Sequence, residues 1–236
     1  MENRLLGALL SGEYKRLLPH LQRVNLSLGE VVYNANSTIR YVYFPETAVV
    51  SMLAYLEDGS TTEVGLIGRE GMVGLTIFLG GAATHDEALV QIAGSAMRMK
   101  SEVFKRAISV GSPLQILLLR YTQTFLALIS QSAVCSQHHP VEERLARWLL
   151  MMHDYSQSDK LSLTHEVISA MMGVRRAGVS VSAQALTKAG IISTRRGTIT
   201  ILDREELESA ACECYGVIRQ EFDELYSSQA TALRLA

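Results

Sequence analysis

No apolar run in this 236-residue chain comes near the ~20 residues needed to cross a bilayer. The opening stretch, MENRLLGALLSGEYKRLL, is amphipathic, but it has neither the continuous apolar core nor the cleavage site of a signal peptide. We therefore expect a cytoplasmic protein with no membrane partner. Cysteine is scarce: Cys135, Cys212 and Cys214 are the only three. Their spacing suits neither a secreted disulfide framework nor a two-knuckle zinc site, and Cys135 reads as a free buried thiol. The Cys212-x-Cys214 pair would suit a metal or an oxidant sensor, but positions i and i+2 of a helix face apart, so no metal site is expected. Enzyme signatures are missing too. There is no H-E-x-x-H, no glycine-rich phosphate loop opening a helix and no nucleophile elbow. His138-His139 followed by Glu142-Glu143 reads more simply as a junction between helices than as a catalytic cluster.

A strong charge of either sign is also absent. The net charge of −2 by itself does not point to nucleic acid. Its distribution does. Residues 162–202 hold five cations (Arg175, Arg176, Lys188, Arg195, Arg196) against one carboxylate, Glu166. From Asp203 onward there are three arginines against eight acids, which mask the basic module in the total. With 48% apolar and 19% charged residues, the composition is that of a globular protein with room for two modest domains.

The basic module is LTHEVISAMMGVRRAGVSVSAQALTKAGII, Leu163–Ile192. It reads as two short helices around a turn at Gly173, where a left-handed conformation suits glycine. Thr164 is the candidate N-cap of the first, with Val167, Ile168, Met171 and Met172 on its buried face. The second runs from about Arg175 to Lys188, with Val179, Ala183 and Leu186 inward and Arg175, Arg176, Ser180 and Gln184 outward. A helical hairpin in a core is the plainer alternative, but a helix-turn-helix places such a basic second helix in the DNA major groove. Two β-branched strands follow in IISTRRGTITIL, with Arg195-Arg196-Gly197 at their turn. A hairpin in that position is the wing of a winged helix, and arginines at its tip suit phosphate.

Upstream, the first thirty residues form a helical lead-in broken at Pro19. From Leu26 to about Met99 the apolar period shortens to that of strands, with turn-forming glycines between short runs, as in a small barrel or sandwich. Ser101–Ile108 reads as a short helix capped by Ser101. Ser112-Pro113 then opens a long helix. In it Leu114, Leu118, Tyr121, Phe125, Leu128, Ser132 and Cys135 recur at spacing 4-3-4-3-4-3, a heptad seam that predicts homodimerisation. A second stripe, Leu119, Leu126 and Ala133, would then face the chain's own β-domain. Trp148, in VEERLARWLLMMH, is a core anchor; Asp154–Lys160 is a polar connector; Asp203–Tyr226 is one acidic amphipathic helix. The expected divisions are 1–111, 112–139 and 140–236.

A β-rich sensor, a dimer helix and a winged helix-turn-helix, in that order, resemble the catabolite activator/fumarate-nitrate reduction (Crp/Fnr) family of bacterial transcription regulators. The stretches REGMVG (Arg69–Gly74), VEERLARWLL and GVRRAGV are similar to a proteobacterial subgroup of it. The resemblance implies an α+β chain with an antiparallel cyclic-nucleotide-binding-like β-roll. It also implies a homodimer on a two-fold symmetric operator, allosteric control by the roll, and RNA polymerase as a partner. Arg176 matches the family's first base-reading arginine, but Ala177 stands where its glutamate is expected and Val181 where a second arginine is expected. Val181 would suit a thymine methyl, and Gly178 close approach to the DNA backbone. Thr164 and His165 match phosphate contacts. In the sensor, Gly74-Leu75 replaces the Gly-Glu of cyclic-nucleotide binders, and Thr84-His85 falls where their phosphate-binding arginine would lie. Binding of cAMP is therefore not expected; a cyclic dinucleotide or haem stays open as effector. No cysteine precedes Cys135, which excludes the family's N-terminal iron–sulfur arrangement.

Overall fold

The structure is a computed structural model that describes residues 3–232, with side chains through residue 227. The lead-in forms α1 (Arg4–Gly7), α2 (Ser11–Leu17) and one 3-10 turn ending at His20. Seven strands follow: β1 (Gln22–Leu26), β2 (Val31–Tyr33), β3 (Tyr41–Pro45), β4 (Val49–Tyr55), β5 (Thr61–Ile67), β6 (Glu87–Ile92) and β7 (Gly94–Lys100). The short α3 (Leu75–Phe78) lies between β5 and β6. The strands build two antiparallel sheets, ordered β1-β7-β3 and β2-β6-β4-β5, which close a β-roll over a core that includes Val42, Phe44, Val50, Leu53 and Val90. Helix α4 (Ser101–Ala107) follows, with Lys100 as its N-cap; the Ser101 hydroxyl does not cap but donates to the Ile39 carbonyl at 2.7 Å.

The long helix α5 spans Pro113–His138, and the Ser112 side chain accepts from the Gln115 amide to cap it. The heptad assignment on this helix needs correction. Leu114, Leu118, Tyr121, Leu128 and Cys135 are 0–3% exposed within a single chain, so they pack on their own protomer. Phe125 lies against Gly65 of β5, and the half-buried Ser132 accepts from Arg147 at 3.4 Å. The open heptad is the other one. Ile116, Leu119, Gln123, Leu126, Ser130, Ala133 and Gln137 share one exposed face, with Leu119 and Leu126 more than half exposed. Spacing alone fits either side of a helix. Leucine, tyrosine and cysteine made the wrong stripe look like the seam because it is the richer one, and the richer stripe is the one the chain buries.

Helix α6 (Val141–Ser156) follows a break at Pro140, then β8 (Lys160–Leu161), α7 (His165–Met172), α8 (Arg176–Lys188), β9 (Ile192–Arg195) and β10 (Thr198–Ile201). The polar connector thus ends in a strand that pairs with β10, making a three-stranded wing. The acidic C-terminal stretch is two helices, α9 (Arg204–Ala210) and α10 (Cys214–Ala232). Ala211 leaves the helical region at ψ 153, which breaks the expected single helix. Among the described residues no helix is long and apolar enough to cross a membrane.

The two halves meet at the loop Gly68–Gly71, part of the REGMVG stretch. A Cβ on Gly71 would lie 2.2 Å from the Tyr121 Oη of α5, and one on Gly68 would lie 2.4 Å from the Tyr155 Cβ of α6. The Tyr121 hydroxyl accepts from the Met72 amide and donates to the Met72 carbonyl. Glu70 is buried here at 3% exposure: Oε1 accepts from the Gly68 amide at 2.8 Å, while Oε2 has no partner. Burial pushes its carboxyl up to about 7 from the ordinary 4.5. The folded chain thus holds this proton more tightly than the unfolded chain. Its contribution to stability is complete below pH 4.5 and is lost as pH rises through 7. Glu70→Gln should therefore flatten the fall in stability between pH 5 and pH 8, by roughly 3 kcal/mol at most. Thermal melts of both proteins across that range measure it, and equal slopes would sink the assignment.

Candidate nucleic-acid interface

The helix pair α7–α8 is built from local signals. Thr164 Oγ1 accepts from the Val167 amide at 3.2 Å, satisfying one of the otherwise orphaned donors at the start of α7. Gly173 ends it with φ 63; Ile168, Met172, Val179, Ala183 and Leu186 are buried, and so is Met171, whose sulfur meets Gln91 of β6. Val167, expected inward, is exposed at 36% and lies on the outer surface. Arg175 is the N-cap of α8 rather than its first residue.

The outward face of α8 carries Arg175, Arg176, Ala177, Val181, Gln184 and Lys188, all exposed, and Val181 is 68% open to solvent. Ser180 is half-buried, and its hydroxyl lies 3.0 Å from His165 Nδ1. That bond ties α7 to α8, while the other ring nitrogen, Nε2, is enclosed without a protein partner. Gly178 faces the start of α6, where a methyl would meet Val141 at 3.9 Å, an ordinary contact. Packing within the chain therefore does not require glycine at that position.

Sequence reading missed one member of this surface. Glu166, counted there only as the module's single acid, has Oε2 3.4 Å from Arg176 Nε. Helix spacing could have flagged neither residue for the other, because they sit on different helices.

The wing is a two-residue hairpin: Thr198 pairs with Arg195, leaving Arg196 and Gly197 as the turn. Their φ angles are 45 and 77, both positive, as a type I′ turn demands. Glycine and asparagine are the residues that enter this conformation readily; arginine is not. A Cβ on Gly197 would stand 3.3 Å from Thr164 Cγ2, so the tip sits beside the first turn of α7. The wing tip, the α7 N-terminus and Arg176 are thus neighbours, joined through Thr164 and Glu166.

The sensor residues are not assembled in the same way. Gly74 and Leu75 open α3 against Val42 and Ile39, whereas Thr84 sits in the next loop with its hydroxyl 3.3 Å from Asp86 and His85 is exposed. None of the described cavities is lined by these four residues.

Residues 143–210 match the family model described as a Crp-like helix-turn-helix domain. The chain carries a Crp-like helix-turn-helix domain on a fold shared with Crp/Fnr-family regulators. FixK2 from Bradyrhizobium japonicum superposes with a TM-score of 0.68 at 19% identity, over 81% of this chain and 98% of that one. A transcriptional regulator of the CRP family from Thermus thermophilus, TTHB099, gives 0.66 at 20% identity, over 80% and 96%. The c-di-GMP responsive global regulator CLP of Xanthomonas campestris gives 0.61 at 17% identity, over 81% and 99%. At such identities the likeness is one of fold. No curated protein sequence matches the chain.

The strained turn at Arg196 generates a test. Arg196→Asn should relieve the hairpin and raise stability by about 1 kcal/mol. The same change should weaken DNA binding evenly across sequences and lower the slope of log K against log salt by about 1. Thermal melts and anisotropy titrations at several salt concentrations measure both; a variant with unchanged salt slope would remove Arg196 from the phosphate contacts.

Proposed function

We propose that the protein is a dimeric, sequence-specific DNA-binding transcription regulator. Residues 1–111 would be its sensor, 112–139 its dimerisation helix and 140–236 its DNA-binding domain. The observation that carries this reading is the meeting of the open α8 face, the α7 cap and the strained Arg196 wing through Thr164 and Glu166. Arg176 is the base reader, capable of a bidentate contact to guanine O6 and N7. Arg175, Lys188, Arg195, Arg196 and Thr164 address phosphates. His165 holds α8 through Ser180, Val181 suits a thymine methyl, and Gln184 a base edge.

Two-fold binding needs two copies, and the exposed heptad from Ile116 to Gln137 is the face we assign to the partner. Among the described residues nothing covers its exposed leucines. The sensor does not suit cAMP: no guanidinium stands at Thr84 or His85, and Asp86 puts a carboxylate beside them. A cyclic dinucleotide or haem remains the kind of effector to screen.

Anisotropy against the protein's own upstream region tests the DNA assignment. Arg176→Ala should cost about 1–3 kcal/mol on the specific site and relax discrimination at one base pair. Affinity that is insensitive to salt and unchanged by Arg176→Ala would defeat it. The seam is tested by Leu119→Glu with Leu126→Glu, which should leave a folded monomer in sedimentation and weaken operator binding at least tenfold. An unchanged dimer would place the interface elsewhere.

A further inference from the structure

Sequence spacing led us to expect no metal here, because residues i and i+2 of a helix face apart. The structure removes that premise. Cys212 lies in the break between α9 and α10, outside any helix, and only Cys214 begins the helix. From this break the two thiols turn toward the C-terminal end of α5, where Cys135 and His139 are one turn apart. The ligand atoms of Cys135, His139, Cys212 and Cys214 all lie within 4.8 Å of one another.

We propose that these four residues form a mononuclear zinc site that pins the α5–α6 hinge to the C-terminal helices. Three thiolates and one imidazole are a closed structural set for zinc, and soft sulfur ligands disfavour magnesium or calcium. Bonds of about 2.3 Å to sulfur and 2.0 Å to nitrogen place tetrahedral ligand atoms roughly 3.5–3.8 Å apart. Here Cys135 Sγ is 3.5 Å from Cys212 Sγ, and Cys214 Sγ is 3.5 Å from His139 Nδ1. So compact a set suits one ion, not a polynuclear cluster.

The surroundings complete the case. Glu213 Oε2 lies 3.2 Å from His139 Nε2, which turns Nδ1 toward the sulfurs, as the carboxylate behind a metal-bound histidine does. Gln131 Nε2 donates to Cys214 Sγ at 3.1 Å, a bond a thiolate accepts well. The three thiols pack on one another and form a cluster separate from the main apolar core. With its three sulfurs as thiolates the loaded site would carry a net charge of −1, which Arg144 and Arg147 on the neighbouring turns of α6 offset.

The test uses the full chain, purified without a metal-affinity tag and kept reduced. Mass spectrometry of the metal content should find one zinc per chain. The metal-free chain titrated with Co²⁺ should give the intense ligand-field bands of a tetrahedral thiolate complex, saturating at one equivalent and bleached by Zn²⁺. Cys214→Ser and His139→Asn should each weaken zinc binding at least tenfold and alter the cobalt spectrum. Chelation should lower Tm by ~10 °C. If a variant fails to fold, the cobalt spectrum of the unmodified chain still decides. No bound zinc together with no tetrahedral cobalt spectrum would overturn the site. So would a different resident metal, a cobalt spectrum unchanged in Cys214→Ser, or a Cys135–Cys212 disulfide that persists in the reduced chain.

Discussion

The structure depends on one loop having no side chains where two helices press against it. Gly68 and Gly71 admit Tyr155 of α6 and Tyr121 of α5, and either Cβ would lie less than 2.5 Å from the ring-bearing side chain it meets. Two flanking elements fasten the same loop. Asn3 donates to the Gly71 and Pro45 carbonyls, and the Tyr226 hydroxyl of α10 donates to the Glu70 carbonyl. The lead-in, the β-roll, the long helix and the C-terminal domain therefore share one reference point. A packed joint of this kind is not continuously deformable. Moving the loop by a fraction of an ångström requires both helices to find a new seat, which on the proposed reading would link the β-roll to the DNA-reading surface.

A second contact sets how the DNA-reading domain lies on the roll. Trp148 Nε1 donates to Glu63 at 2.9 Å, Gln91 Nε2 points to Met171 Sδ, and Gly173 lies against Thr62 of β5. These contacts reach α6, α7 and the turn before α8, but the outer face of α8 stays open. On the proposed reading, docking on the β-roll and reading of DNA would use opposite sides of one small domain.

How much of this was legible in the sequence follows from which signals are local. The α7 cap, the Gly173 turn, the wing hairpin and the Ser112-Pro113 helix start are written in neighbouring residues, and they appear where the sequence puts them, except that Arg195 belongs to the strand and the turn is Arg196-Gly197 alone. What failed needed the third dimension. The heptad could not say which of its two stripes faced home. The i, i+2 argument against a metal failed because Ala211 breaks the helix it assumed. Strand β8 has two residues, too few to carry a period. Glycines 68 and 71 read as turns, whereas their role is to leave room for tyrosines about 50 and 90 residues away.

Glu166 shows the same limit at the level of recognition. The family's carboxylate beside the reading arginine is absent from the sequence, since Ala177 stands there, yet a carboxylate is present in space. It reaches Arg176 Nε from α7 at 3.4 Å, with both side chains more than two-thirds exposed. An ion pair so open to water is worth at most about 1 kcal/mol, so stability does not account for it. Its effect is on geometry. Pairing at Nε would, on the proposed reading, leave the two terminal nitrogens for the guanine edge. On the proposed reading, this chain retains the guanine contact but lacks a carboxylate placed to accept from cytosine, so its operator would share only part of the half-site read by its relatives.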